Sequence, residues 1–297
     1  MLTIENNNGS VDICSDGVRI LAYQANTAAS KPHFSVVALP PSGPRAGTNI
    51  ALAAPHDHVW HLGLYFSPKY VNGVNFWESE LFAANEESFG HLRHVGAVST
   101  SVQDDGSVAF AHEIHWLTDK DELWIKEDRR ILVHPPKGQA YRMEWISTWR
   151  AEGTDRVLTS RCATGDYAGL SFRPQRCMGG LGTKVMNSEG ANSADQVHGQ
   201  TANWVDYSGK LDGKYTINEA DWAGLTMIDH PSNVHYPIRW FCITQPFGFL
   251  AANPTFGRTW TLKPDQPETA RFGILVHAGQ PDKHTIDGEY QSFIKSS

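Results

Sequence analysis

The sequence predicts an all-β protein, a large twisted antiparallel β-sandwich, and three observations carry that expectation. Apolar residues recur with period two rather than 3.6, the signature of half-buried strands. The runs are short and closed by Gly, Pro, Asn or Asp. The chain also holds 26 Gly and 10 Trp, a composition suited to many tight turns joined to broad packing surfaces. No compositional shift marks a linker and no segment repeats, so a single domain is expected over residues 1–297.

The clearest hairpin runs from Val98 to Gln103, turns at Asp104-Asp105-Gly106, and returns from Ser107 to Leu117. Asp-Gly supplies the positive φ that a tight turn needs. On the returning strand Val108, Phe110, Ile114 and Trp116 share one face, and Glu113 and His115 take the other. Strands follow at 122–134 and 141–150, the latter with Tyr141, Met143, Trp145 and Trp149 on one side and Arg142, Glu144 and Arg150 on the other. Further strands are expected at 169–172, 224–228, 238–244, 259–262 and 271–277, with a polar surface loop over 187–200. Helix is expected only as short turns.

Hydrophobic residues make up 40% and charged residues 19% of the chain, enough to build a large core. A net charge of -7 with no basic stripe argues against nucleic acid. No apolar run approaches the roughly 18 residues that span a bilayer, so no membrane partner is expected. The first residues, Met-Leu-Thr-Ile-Glu-Asn-Asn-Asn, lack the basic and apolar regions of a signal peptide. Cys14, Cys162, Cys177 and Cys242 form no C-x-x-C pair, which reads as reduced thiols of a cytoplasmic protein.

Chemistry concentrates in Pro55-His56-Asp57-His58-Val59-Trp60-His61-Leu62-Gly63. Imidazoles can ligate a metal, move protons near neutral pH, or hydrogen-bond sugar hydroxyls. On a regular strand His56 and His58 would share a face and His61 would point away, so convergence requires a bulge or loop between Pro55 and Gly63. No carboxylate follows at H-x-H-x₃₋₄-E spacing, so no cofactor is assigned. If a divalent metal were present, its ligands would be His56, His58 and His61.

Substrate-contacting candidates follow. Asn72, Asn75 and Trp77 lie just beyond the His cluster, amides to read hydroxyls and an indole face to cover the C–H surface of a pyranose. Asn72-Gly73 is equally a turn signal, and Trp77 is equally a core residue. Arg173, after an apolar strand, could pin an oxyanion bidentately. Asp206 in Trp204-Val205-Asp206-Tyr207-Ser208-Gly209 and His230 in Asp229-His230-Pro231-Ser232-Asn233 are candidate acid/base groups, with capping and Asx turns as the alternative. The catalytic set is therefore His58, His61, Arg173, Asp206 and His230. His56, Asn72, Asn75, Trp77, Trp204 and His277 are the substrate-binding candidates.

Together these blocks resemble the bacterial PmoA-like family, proteins labelled "methane oxygenase PmoA". The resemblance lies in Asp57-His58-Val59-Trp60-His61-Leu62-Gly63-Leu64-Tyr65-Phe66, in Val71 to Trp77, and in Gly169 through Arg173. It continues in Trp204 to Gly209, His230 to Asn233, Pro237 to Trp240, Asn253-Pro254 and Val276-His277-Ala278-Gly279. The chain departs from the family between Asp57 and Gly63, where the family usually carries a further His and an Arg and this chain has Trp60 next to His61, then Leu62. The resemblance implies a soluble sandwich of the galactose-mutarotase (supersandwich) kind and a setting in carbohydrate breakdown, not the membrane chemistry of the label.

The expected partner is a small carbohydrate. The leading reading is a carbohydrate-active enzyme that cleaves or isomerises a glycoside or keto-sugar by His/Asp acid–base chemistry, a glycoside hydrolase, lyase or isomerase. The alternatives are a metal-dependent hydrolase or lyase using the three histidines, and a sugar-binding protein without catalysis.

Overall fold

The computed structural model describes residues 1–78, 88–211 and 222–295. Two eight-stranded antiparallel sheets face each other. The first runs in spatial order Leu2–Asn7, Ser10–Ser15, Val18–Gln24, His33–Val37, Leu64–Ser67, Gly169–Phe172, Phe249–Asn253 and Arg239–Ile243. The second runs Thr183–Asn187, Trp204–Lys210, Trp222–Asp229, Glu268–Ala278, Ala140–Ala151, Leu123–Val133, Val108–Leu117 and His91–Val102. A smaller four-stranded sheet joins Trp260–Leu262, Arg156–Thr159, Tyr70–Val71 and Val74–Asn75.

Period-two alternation assigns each strand an inner and an outer face, and the inner faces make one continuous core. From the first sheet come Val11, Ile13, Leu21, Tyr23, Leu64, Phe66, Leu170 and Phe172, and from the second Val108, Phe110, Ile114, Trp116, Met143, Trp145 and Trp149. The predicted hairpin forms, with Val102 opposite Val108 and Gly106 at φ 81°. One charged pair lies inside this core. Arg129 meets Glu127 at 2.8 Å, and Glu127 also accepts from Trp116 Nε1 at 2.9 Å and Ser147 Oγ at 2.6 Å. With both ions paired and bonded, their burial is tolerable.

The C-terminal helix Lys283–Lys295 corrects the expectation that helix would be confined to turns. Ile286, Tyr290 and Phe293 give it an apolar stripe at helical spacing, which seals Trp204 and Ile228 on the outer face of the second sheet. The polar stretch 187–200 is likewise not all loop: Ser193 caps a one-turn helix, Ala194–Val197, whose Val197 is buried.

Candidate active site on the outer face of the first sheet

The His cluster is not a strand. His58 N bonds Pro55 O at 3.0 Å and His61 N bonds His58 O at 2.9 Å, so two successive turns carry the chain from Pro55 to His61. An isolated bridge between Ala53 and Leu62 closes the loop. Gly63 sits at φ 81°, and a Cβ there would lie 2.4 Å from Phe34 O, so only glycine lets the loop rejoin the sheet. These turns bring the His58 and His61 rings into a parallel stack, centroids 4.7 Å apart.

Two arginines and an aspartate fix the stack from behind. Asp57 Oδ2 accepts from Arg173 at 2.7 Å and lies 3.0 Å from His58 Nδ1, while its Oδ1 accepts from Arg176 at 2.8 Å. Burial would raise the Asp57 pKa, but the His58 N–H and the Arg173 guanidinium hold its carboxyl well below the usual carboxylate range. Arg173 is buried, lies over the Phe247 ring at 3.9 Å, and directs Nη1 to His61 Nδ1 at 3.4 Å. The guanidinium can only donate, so His61 Nδ1 accepts and its proton sits on Nε2. Burial, then the neighbouring His58, Arg173 and Lys31, push the His61 pKa well below its ordinary value, so the ring is neutral at neutral pH. Arg173 is thus tied up with Asp57 and His61, a positioning role rather than the oxyanion clamp expected from its position.

The opposite wall comes from the Asn-Trp-Glu turn. Asn75 Oδ1 accepts from Trp77 N at 2.9 Å and Glu78 N at 3.3 Å, and its Nδ2 donates to Glu78 Oε2 at 2.7 Å. Lys69 Nζ donates to the same oxygen, and Tyr167 OH reaches Glu78 Oε1 at 3.3 Å. His58, His61, Glu78 and Thr164 then share a hollow of about 300 Å³ whose walls are Trp60, Trp77, Tyr167, Phe241, Phe247 and Phe249. Small aromatic hollows with a few convergent polar groups are the usual form of a small-molecule site.

Of the sequence candidates, the structure gathers His58, His61, Arg173, Asn75 and Trp77 here. His56 sits on the same loop but is exposed. Asn72 belongs to a hairpin turn at φ 47°, with its side chain on Val157 N at 2.7 Å, and serves the turn.

Asp206, His277, Trp204 and His230 lie on the other side of the protein. Val205, Tyr207 and Val276 fill the core, so the alternating Trp204, Asp206 and His277 project from the outer face of the second sheet. Asp206 meets His277 Nε2 at 2.9 Å, Thr226 Oγ1 at 2.8 Å and Ser208 Oγ at 2.7 Å, a polar row across three strands. Gly224 makes room for it, since a Cβ there would fall 2.5 Å from the His277 ring. Trp204 donates to Asp287 of the C-terminal helix at 3.0 Å, and His230 packs edge-on to Phe293 at 5.4 Å. With sheets stacked about 10 Å apart, groups on opposite outer faces cannot share a proton, so the expected convergence of all five catalytic candidates does not occur.

Sequence reasoning missed Glu78, Lys31, Lys69 and Tyr167. Glu78 directly follows Trp77, and its proximity to the Asn-Trp segment was the available signal. Among the described residues no group of three His, Cys, Asp or Glu side chains is arranged to hold a metal ion. No helix among them is long and apolar enough to cross a membrane. All four cysteines are free.

Solved structures that resemble the chain do so distantly. A GH36 α-galactosidase, AgaA from Geobacillus stearothermophilus, aligns at 9% identity and a TM-score of 0.39, covering 94% of this chain and 41% of the other. A polysaccharide lyase aligns at 13% identity and a TM-score of 0.33, covering 97% and 34%. A TPR-domain protein from Parabacteroides distasonis aligns at 13% identity and a TM-score of 0.23, covering 96% and 48%. The chain spans less than half the length of each, and these likenesses carry no chemistry across. No curated protein matches it. The family described as "Family of unknown function (DUF6807)" matches residues 10–291.

Proposed function

The chain belongs to DUF6807, a family of unknown function, so its chemistry has to be read from its own site, and we propose that this site binds a sugar and isomerises or cleaves it by acid–base catalysis. The observation that carries the reading is that two imidazoles and a carboxylate, His58, His61 and Glu78, line one aromatic-walled hollow of about 300 Å³. Aromatic walls cover the C–H faces of a pyranose, and the hollow is of a size for one ring. The PmoA-like resemblance of residues 57–66 and 71–77, with its implied setting in carbohydrate breakdown, favours the same ligand class.

Each polar group has a distinct capacity. His58 holds Nδ1–H on Asp57 and leaves Nε2 free as a proton acceptor, the arrangement of a base oriented by a third group. His61, neutral with its proton on Nε2, is a donor suited to an oxygen on which negative charge collects. Glu78, braced by Lys69, Asn75 and Tyr167, is a carboxylate that accepts from sugar hydroxyls on the far side of the ring. On a keto-sugar, His58 would take the acidified C–H beside the carbonyl while His61 donates to the carbonyl oxygen. Return of that proton from His58 to the former carbonyl carbon, as the other enediol hydroxyl gives its proton to His61, isomerises the sugar. Expulsion of a β-glycosidic oxygen that takes the proton from His58, as the enol proton returns to His61, cleaves it.

Incubating a keto-glycoside with the protein in D₂O and following the α C–H by NMR tests this. Enzyme-dependent exchange that disappears in His58→Ala is the expected result. Neither exchange nor sugar binding in the wild-type protein would overturn it.

A further inference from the structure

Arg176 opens the single-turn helix Arg176–Met178 just after Arg173, and both guanidinia converge on one carboxylate. Asp57 accepts from Arg173 at 2.7 Å and from Arg176 at 2.8 Å, so two cations share a single anion. Burial is the larger pressure lowering the Arg173 pKa, Asp57 opposes it, and the like charge of Arg176 adds to it. Two guanidinia against one carboxylate leave a positive charge that Asp57 does not cancel. Arg173 is buried, but 63% of the Arg176 side chain is exposed. Its Nη2 is engaged with Asp57, and a guanidinium has five N–H donors in all, so Arg176 has donors to spare.

These arginines form one side of a groove of about 350 Å³. Its lining includes Arg173, Arg176, Gly180, Thr244, Gln245 and Phe247 and, among the described residues, no Asp or Glu. The two lips are tied together by the bond from Gly180 N to Thr244 O at 2.8 Å. Thr244 and Gln245 add a hydroxyl and an amide, both able to donate to an oxyanion. The groove adjoins the hollow. Phe247 lines both, and Asp57 links Arg176 in the groove to His58 in the hollow at 2.8 and 3.0 Å. Glu78, the carboxylate of the hollow, is held on the Asn-Trp-Glu turn by Lys69 and Asn75. Charge therefore runs from negative at that wall to positive beyond Phe247.

We propose that this groove is a subsite for an anionic group, a carboxylate or a sulfate, carried by the unit joined to the sugar ring in the hollow. The proposal rests on the sugar reading of the hollow. An oxyanion here completes the charge balance that Asp57 leaves open, taking charge-assisted bonds from Arg176 with Thr244 and Gln245 beside it. Arg173 supplies field rather than contact, since it is committed to Asp57 and His61. The polarity between Glu78 and the arginines favours one orientation, with the anion toward Arg176 and the reacting ring toward His58. The preferred substrate is thus an acidic glycoside whose charge lies outside the reacting ring.

Calorimetry of matched ligands tests this: phenyl β-glucopyranoside and its para-carboxy and para-sulfo derivatives, with the galacto- and manno- counterparts. Within each set the ring for the hollow is the same and only the charge on the aglycone differs. Wild-type protein should bind at least one charged member ~10-fold or more tightly than its phenyl parent. That preference should shrink as salt rises from about 0.05 to 0.5 M. Arg176→Gln should remove it, Arg176→Lys should keep part of it, and Gln245→Glu, an added carboxylate in the groove, should abolish it as well. The ratio of charged to neutral ligand within each variant cancels any change in the hollow itself. Equal binding of charged and neutral members by wild-type protein overturns this proposal and leaves the sugar reading standing, as does a preference that survives Arg176→Gln or Gln245→Glu. Wild-type protein that binds none of these glycosides overturns the sugar reading and this proposal with it.

Discussion

Arg173 donates to Asp57 Oδ2 at 2.7 Å while its guanidinium carbon lies 3.9 Å over the Phe247 ring, so one guanidinium joins the His loop to the connection between Arg239–Ile243 and Phe249–Asn253. The same group faces His61 Nδ1 at 3.4 Å and thereby sets which ring nitrogen carries the proton. A planar fork does this, and a lysine ammonium cannot stack and donate in two directions at once. Arg173→Lys should lower the proton-exchange rate by roughly 10- to 100-fold and stability by about 1–3 kcal/mol. Exchange kinetics and the denaturant midpoint measure the two. Wild-type values in both would show that the loop holds its shape without the fork.

Acid should weaken the fold in a window set by buried neutral imidazoles. Burial lowers the His33 pKa to about 4 and pushes His61 and His112 well below the ordinary histidine value. In the unfolded chain these rings bind protons below about pH 6.5, so there the unfolded state holds more protons than the native one. Their stabilising contribution is therefore complete above about pH 6.5 and lost as pH falls toward the native values, by up to roughly 1 kcal/mol per pH unit per ring. Asp57 adds a second loss lower down, because a depressed carboxylate contributes above its unfolded pKa of about 4 and fades below it. Unfolding midpoints taken from pH 7.5 to 4.5 should hold to about pH 6.5 and fall below it, and His61→Asn should flatten the slope. A profile level down to pH 5 would contradict neutral burial of these rings.

Asp206 and His277 predict the opposite pattern to the site residues. Their hydrogen bonds tie Trp204–Lys210, Trp222–Asp229 and Glu268–Ala278 together on the far face. Asp206→Ala leaves three buried donors unmet and should cost about 2–4 kcal/mol. Turnover per folded molecule should stay at the wild-type level. A stable Asp206→Ala protein with no activity would return Asp206 to the catalytic set.

How much of this was legible in the sequence depends on the range of the interaction. Alternation at Val108, Phe110, Ile114 and Trp116 and the Asp105-Gly106 turn are local rules, and the strands follow them. The bend at Pro55 to Gly63 was equally local, since a straight strand cannot bring His58 and His61 together. Which outer face a polar side chain occupies is not local. Asp206 and His61 both read as polar residues among apolar neighbours, and only the assignment of Trp204–Lys210 to the second sheet separates them. Tyr167 was invisible for the same reason, as it meets Glu78 across 89 residues, whereas Glu78 itself had a local signal in the preceding Trp77. The C-terminal stripe of Ile286, Tyr290 and Phe293 was readable by period but is short, and the charged and polar residues between them mask it.

The three histidines of the loop provide the sharpest contrast between metal and metal-free chemistry. A divalent ion needs three converging donors, often with a carboxylate among them. His56 is exposed, His58 turns Nδ1 to Asp57 at 3.0 Å, and the Asp57 oxygens are already bonded to Arg173 and Arg176. A ligand set that recruited Asp57 would have to break that arginine–aspartate cluster, whereas proton transfer through His58 Nε2 uses it as it stands. His56→Ala is therefore expected to keep activity within about 2-fold, while His58→Ala and His61→Ala lose ~10²–10⁴-fold, the usual share of a positioned acid or base. Activity should also survive prolonged chelation. Stoichiometric transition metal in the purified protein, lost with activity on chelation and restored on re-addition, would transfer the three histidines to a metal centre and refute the acid–base assignment.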